Sequence, residues 1–162
     1  MISKKSFHIE CSDGFVLKPT ILEVLDHSIF VWPSSLVLSA YLASRIMTKD
    51  SRVIELGAGT GLPSIVCAMM GAKRVHITER ANERALDNLK NVVELNQVQE
   101  NCSVWPLTWG FLKEDVIPDV DVILGADVFY SGEDYDAVLT TVACLMLKNT
   151  KAVFLTAYQN RR

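Results

Sequence analysis

The chain has 162 residues, a formal net charge of −3, 49% hydrophobic and 22% charged residues, which suits one ordinary domain with a buried core and excludes general disorder. With a pI near 5.6, it is a poor candidate for direct nucleic-acid binding through a broad basic face, while a basic protein or peptide partner stays compatible. The N-terminal MISKKSFHIE lacks an apolar signal core and no apolar run nears the ~20 residues of a bilayer span, so the expectation is a soluble cytoplasmic or nuclear protein with no membrane role.

In chain order, SFHIECSDGFVLKPTILEVL alternates apolar and polar residues around Asp13-Gly14, a good tight turn, which predicts two short antiparallel strands. Trp32-Pro33 comes next, and proline in a first helical turn with Val37, Leu38, Tyr41 and Leu42 behind it predicts a helix to about Met47. Strand and helix then alternate: strand 52–56 (RVIEL), helix LPSIVCAMMGA, strand 74–78 (RVHIT), helix 82–96, strand CSVWPL, strand 121–126 (DVILGA), helix 135–147 and strand 152–157 (AVFLTA). Such alternation predicts a Rossmann-like, doubly wound α/β domain with a mostly parallel sheet, spanning residues 1–162 behind an N-terminal hairpin and helix. Cys11, Cys67, Cys102 and Cys144 are far apart in sequence and form no CxxC pair, so they read as thiols of a reducing compartment, most of them in the core, with no metal expected.

In these sheets ligands sit beyond the carboxyl ends of the strands, where the strand order reverses. The first core strand ends in Glu55-Leu56, followed by Gly57, Ala58, Gly59 and Gly61, and then by a helix N-terminus. Glycines there allow a sharp turn and a close ligand approach. Glu79 ends the second core strand, where its carboxylate can accept both hydroxyls of an adenosine ribose. Glu55 could attract the charged amino-acid end of the same ligand; its plain alternative is a partner for the helix dipole, and that of Glu79 a surface carboxylate. A glycine pattern alone is weak evidence, since nicotinamide enzymes carry a similar one, but G-x-G-x-G differs from the pyrophosphate-binding G-x-G-x-x-G.

From about Ile21 to Arg161 the chain resembles methyltransferase family 16, a group of seven-strand methyltransferases. The blocks that carry the resemblance are EVLD, VWPSSLVLSAYL, IELGAGTGLP, LTWG, ILGADVFYSGEDYDAVL and TAYQNR, in that order. The resemblance implies S-adenosyl-L-methionine as cofactor. It puts Trp32 at the methionine end, Gly57, Ala58 and Gly59 around the amino-acid part, Glu79 on the ribose, Trp109 flanking the adenine and Ala126 behind it. Asp127 and Tyr130 match the family's D-x-x-Y motif at the catalytic position; their plain alternatives are a helix cap and a packed aromatic ring. Trp105, alternating within a strand, reads as a core residue.

The family sheet has seven strands, whereas this sequence stops just after the fifth, at TAYQNRR. The expectation is a C-terminally short form with an exposed fifth-strand edge, bearing Val153 and Leu155, open to a protein partner. The resemblance further implies a protein substrate. Within the family, the nearest likeness is associated with histone-arginine methylation in nucleus and cytoplasm, and the wider group with lysine. A lysine must first lose its proton, whereas an arginine keeps its charge and needs carboxylates to orient it. Asp127, with Glu133 and Asp134 in the adjoining acidic loop, could supply them. Alternatives left open are lysine methylation, a catalytically silent cofactor-binding partner and, more remotely, a nicotinamide oxidoreductase.

Overall fold

A computed structural model describes residues 2–24, 29–45 and 48–160. Its centre is a five-stranded parallel sheet in the order β7-β6-β5-β8-β9, formed by β5 (Arg52–Leu56), β6 (Arg74–Glu79), β7 (Cys102–Pro106), β8 (Val122–Ala126) and β9 (Val153–Ala157). From β5 the chain steps outward one way to β6 and β7, then returns to the other side for β8 and β9. The carboxyl ends of β5 and β8 therefore flank the reversal point, where such sheets place their ligands.

Most residues of β5 and β8 are buried whichever face they point to, and in β8 this shows as a continuous apolar run, VILGA. Val53, Val75, Ile77, Val122 and Leu124 face one core, together with α1 (Pro33–Arg45), α2 (Leu62–Met69) and α3 (Glu83–Leu95). Ile54, Leu56 and Ile123 face the other, against α4 (Tyr135–Lys148) and the connection through Leu107, Ile117 and Val120. That connection, between β7 and β8, has only a 3-10 turn at Glu114–Val116. Arg52 clamps the two inner strands at their entry: its backbone N–H and its guanidinium donate to Asp121 at 2.8–3.0 Å. The guanidinium holds the Asp121 carboxyl down at about 2.

Helix boundaries follow local chemistry. Pro33 opens α1, where a missing N–H costs nothing. The Asn82 side chain caps α3 by accepting from Ala85 N–H at 3.2 Å. The expected α1 end near Met47 falls partly outside the described residues.

The N-terminal region is more elaborate than the single hairpin expected. β2 (Ile9–Glu10) and β3 (Val16–Leu17) pair antiparallel around the Asp13-Gly14 turn, as the pattern suggested. Outside them β1 (Ile2–Ser6) pairs antiparallel with β4 (Thr20–Val24), so two short ladders are nested. β1 is exposed along its whole length and carries no apolar alternation to reveal it. β4 is pinned to α3 by Asn96, which accepts from Thr20 N–H at 2.8 Å and donates to its carbonyl at 2.6 Å.

Cys11, Cys67 and Cys102 are buried free thiols and Cys144 is half-buried. Burial pushes Cys67 and Cys102 up to about 12, so they remain unreactive thiols at neutral pH.

Candidate active site

The turn after β5 is shaped by backbone geometry that only glycine adopts cheaply. Gly57 has φ +61°, and a Cβ built on it would lie 2.7 Å from Cζ2 of Trp109, so the indole rests directly against the turn. Gly61, at φ +75°, leads into α2, and a Cβ built on it would lie 2.8 Å from Cδ2 of Leu89. Ala58 N–H donates to Thr78 O at 2.9 Å, and Gly61 N–H to Ala58 O at 2.7 Å. Gly59 N–H donates to Glu79 Oε2 at 2.9 Å, joining the turn to the end of β6.

Beside the turn lies a cleft of about 380 Å³ lined by Glu79, Arg80, Leu107, Thr108, Trp109, Tyr130 and neighbouring residues, a size within the ~300–1,000 Å³ typical of small-ligand sites. The fold thus brings Glu79, Trp109 and Tyr130 to one cleft, from the ends of three strands. Glu79 is buried, so it is not the plain surface carboxylate that its alternative reading allowed. Its Oε1 accepts from Arg80 N–H at 2.9 Å. A carboxylate offers about four acceptor positions, so two remain after the bonds to Gly59 and Arg80.

The DVFY segment divides its labour by position. Asp127 is buried with φ +58°. Its N–H donates to Ala157 O at 2.7 Å, and its Oδ1 accepts from Gln159 N–H at 3.5 Å. Asp127 therefore ties the end of β8 to the end of β9, and the residue that precedes α4 is Asp134, so Asp127 is no cap of that helix. Val128 packs over Gly125, and Phe129 meets Tyr135, Phe154 and Tyr158 edge-on. Tyr130 is exposed to the cleft instead of packed, and its phenol accepts from Arg80 Nη2 at 3.0 Å. Ala126, half-buried, pairs with Ala157 at the β8 end and is outside the cleft lining.

Glu55 and Trp32 lie away from this cleft. Glu55 does not reach out toward a ligand: it is 1% exposed beneath the turn, and its Oε2 accepts from both the backbone N–H (3.0 Å) and the hydroxyl of Ser64 in the first turn of α2. Strand residues here are covered on both faces, so the side chain at position 55 points into protein, where its oxygen accepts from an open amide of the helix N-terminus. Trp32 is also outside the cleft lining; it packs edge-on against Phe30, with ring centroids 5.5 Å apart, and its carbonyl accepts from Ser35 at the start of α1.

Burial, aided by the nearby charge of Glu79 and opposed by the Ser64 bonds, pushes the Glu55 carboxyl up to about 8. It is therefore largely protonated at neutral pH, and an acid whose folded pKa exceeds its unfolded one stabilises the fold most at low pH. That contribution is complete below the ordinary carboxyl value of 4.5 and fades as pH rises through about 8, with a slope of up to about 1.4 kcal/mol per pH unit. Denaturant titrations of the protein should thus show stability falling between pH 5 and 8, and Glu55→Gln should flatten that fall. Parallel pH profiles for both proteins would contradict the assignment.

Arg80, Leu107, Thr108 and Ala137 in the lining were not singled out from sequence. Only Arg80 carried a signal, as a basic residue directly after the strand-end acid.

The profile of the lysine methyltransferase family matches residues 20–162. The chain belongs to that family. It is 38% identical over 157 residues to the histone-arginine methyltransferase METTL23 of Xenopus laevis, covering 94% of this chain and 67% of that protein. To the protein N-lysine methyltransferase METTL21A of Mus musculus it is 41% identical over 125 residues, covering 74% of this chain and 56% of that one. This chain thus spans 56–67% of the length of these two relatives. The fold is shared with solved class I methyltransferases such as precorrin-6y C5,15-methyltransferase from Geobacter metallireducens GS-15, with a TM-score of 0.57 and 17% identity over 75% of this chain and 60% of that one.

Family and fold imply S-adenosylmethionine as cofactor. The residues present fit it: a turn at which a side chain on Gly57 would strike the cleft wall, a cleft of suitable volume, and a buried Glu79 with acceptor positions to spare for a vicinal diol.

Proposed function

We propose that this domain transfers a methyl group from S-adenosylmethionine to a nitrogen of a protein side chain, with an arginine of a histone as the first target to test. The observation that carries the reading is the convergence of Glu79, Trp109 and Tyr130 on one cleft beside the glycine turn. Bound there, the cofactor would supply a methyl on a positively charged sulfur, a leaving group that needs no activation by the protein.

What the chain's own residues contribute is alignment and charge. Glu79 holds the ribose, and the turn at Gly57 and Gly59 lets the ligand approach the backbone. Trp109 flanks the base. Tyr130 lines the cleft and Asp127 is buried at the β8 end three residues before it; to these two we assign the approaching acceptor nitrogen. Arginine as target is supported by the name of the Xenopus relative and by the carboxylate of Asp134 in the cleft lining, with Asp127 buried nearby in the chain at the β8 end. A guanidinium keeps its charge at accessible pH and must be oriented by such groups. Lysine is the second reading, supported by the name of the mouse relative. The nucleus and cytoplasm are the compartments proposed.

β9 is the outermost strand on its side among the described residues, with Val153 and Thr156 exposed. This supports the proposal of a protein partner pairing along that edge.

Asp127→Asn is the cleanest variant, because asparagine tolerates positive φ and keeps the volume while removing the charge. Histones and a whole-protein extract incubated with deuterated cofactor and analysed by mass spectrometry should show labelled arginine. The label should fall at least tenfold for Asp127→Asn with the thermal midpoint little changed, since loss of one charge-assisted contact costs about 1.5–3 kcal/mol. Label on lysine alone would replace the arginine reading by the second. No label on any protein, despite ligand binding, would reduce the domain to a binding module.

A further inference from the structure

Arg80 is bonded to both sides of the cleft. Its backbone N–H donates to Glu79 Oε1 at 2.9 Å, its Nε lies 3.9 Å from that oxygen, and its Nη2 donates to the Tyr130 phenol at 3.0 Å. Glu79 is joined in turn to Gly59 of the glycine turn. One hydrogen-bonded chain therefore runs from the turn after β5, along the end of β6, to the segment after β8. Glu79, Arg80 and Tyr130 all line the same cleft.

We propose that Arg80 is a positioning residue that straps Tyr130 across the nucleoside cleft, with Glu79 as the anchor of the strap. This inference rests on the cofactor reading of the cleft.

Three physical points carry it. Arginine can only donate, so the phenolic oxygen must accept from Arg80, and the phenol's own hydrogen is directed elsewhere. Tyr130 thereby gains a defined polarity as well as a defined position. The guanidinium is a planar fork, able to face a carboxylate through Nε while bonding a phenol through Nη2; the single ammonium of a lysine cannot occupy both places. Finally, the Arg80 side chain is 68% exposed and Tyr130 is 43% exposed, so in the ligand-free cleft water competes for the bond and the strap is weak. A nucleoside seated against Glu79 displaces water from below and lowers the local dielectric, which strengthens the same bond. The strap therefore opens readily when the cleft is empty and holds when it is filled.

The test is the dissociation rate of S-adenosylhomocysteine, followed by stopped-flow tryptophan fluorescence with Trp109 in the cleft wall as reporter. Arg80→Ala, Arg80→Lys and Tyr130→Phe should each release the ligand about tenfold faster, as expected for one lost hydrogen bond to a charged group. The double variant R80A/Y130F should release it no faster than either single alanine or phenylalanine variant, because both remove one shared bond. Unchanged release in any single variant, or effects that multiply in the double variant, would overturn the strap. Glu79→Ala separates the two levels of the argument: if it leaves S-adenosylhomocysteine affinity unchanged, the nucleoside reading itself fails and the strap falls with it. If it weakens affinity while the Arg80 and Tyr130 variants behave as the unmodified protein, the strap alone is wrong.

Discussion

Gly57→Ala is expected to abolish methyl transfer and to lower stability by about 1–3 kcal/mol, the cost of holding a non-glycine residue in a strained left-handed conformation. The stability loss comes from φ +61° at this position, and the activity loss from the indole. The new methyl would sit 2.7 Å from Trp109 Cζ2, closer than two carbons can approach, so either the turn or the ring must move. The ring is a wall of the cleft proposed for the ligand, and the turn supports that ring. Calorimetry with S-adenosylhomocysteine should show no measurable binding by a protein that still unfolds cooperatively, and thermal unfolding should give a lower midpoint. Retained affinity with only reduced stability would mean that the turn is a structural bend, with no ligand against it.

Glu79→Ala should have a comparably large effect by a different route. Removing the carboxylate deletes two ribose acceptors, each bond to a charged group being worth about 1.5–3 kcal/mol, so affinity should fall by roughly 10²–10³-fold or more. The fold suffers as well, because Gly59 N–H and Arg80 N–H lose their acceptor; an amide left unsatisfied costs about 1–3 kcal/mol. Glu79→Gln keeps an acceptor oxygen without the charge and should lie between the two in affinity. An alanine variant that binds as tightly as the unmodified protein would show that Glu79 serves only to brace the turn.

The sheet was legible because each strand is a short segment rich in branched apolar residues, such as Val53 and Ile54 or Val75 and Ile77, set between helical segments in regular alternation. The turn was legible because Gly57 and Gly61 are needed for their φ values, a requirement that acts directly on residue type. The acid at the end of β6 was legible from order alone.

What escaped depends on direction or on distant partners. Whether Glu55 points at the ligand or into the protein cannot be read where both faces of a strand are covered; burial settled it through Ser64, nine residues on. β1 pairs with β4 through a register that its exposed ISKKS sequence does not advertise. The Arg80–Tyr130 bond joins residues 50 positions apart, and no local pattern encodes it. Trp32, beside a proline, suits a ligand and an aromatic neighbour alike; Phe30 meets its half-buried ring edge-on.

A crystal grown or soaked with S-adenosylhomocysteine examines the central proposition most directly. The nucleoside should lie in the cleft lined by Glu79, Trp109 and Tyr130, with both ribose hydroxyls within hydrogen-bond reach of the Glu79 carboxylate. A ligand bound elsewhere, or a cleft in which Glu79 meets only Gly59 and Arg80 while the ligand is saturating, would contradict it.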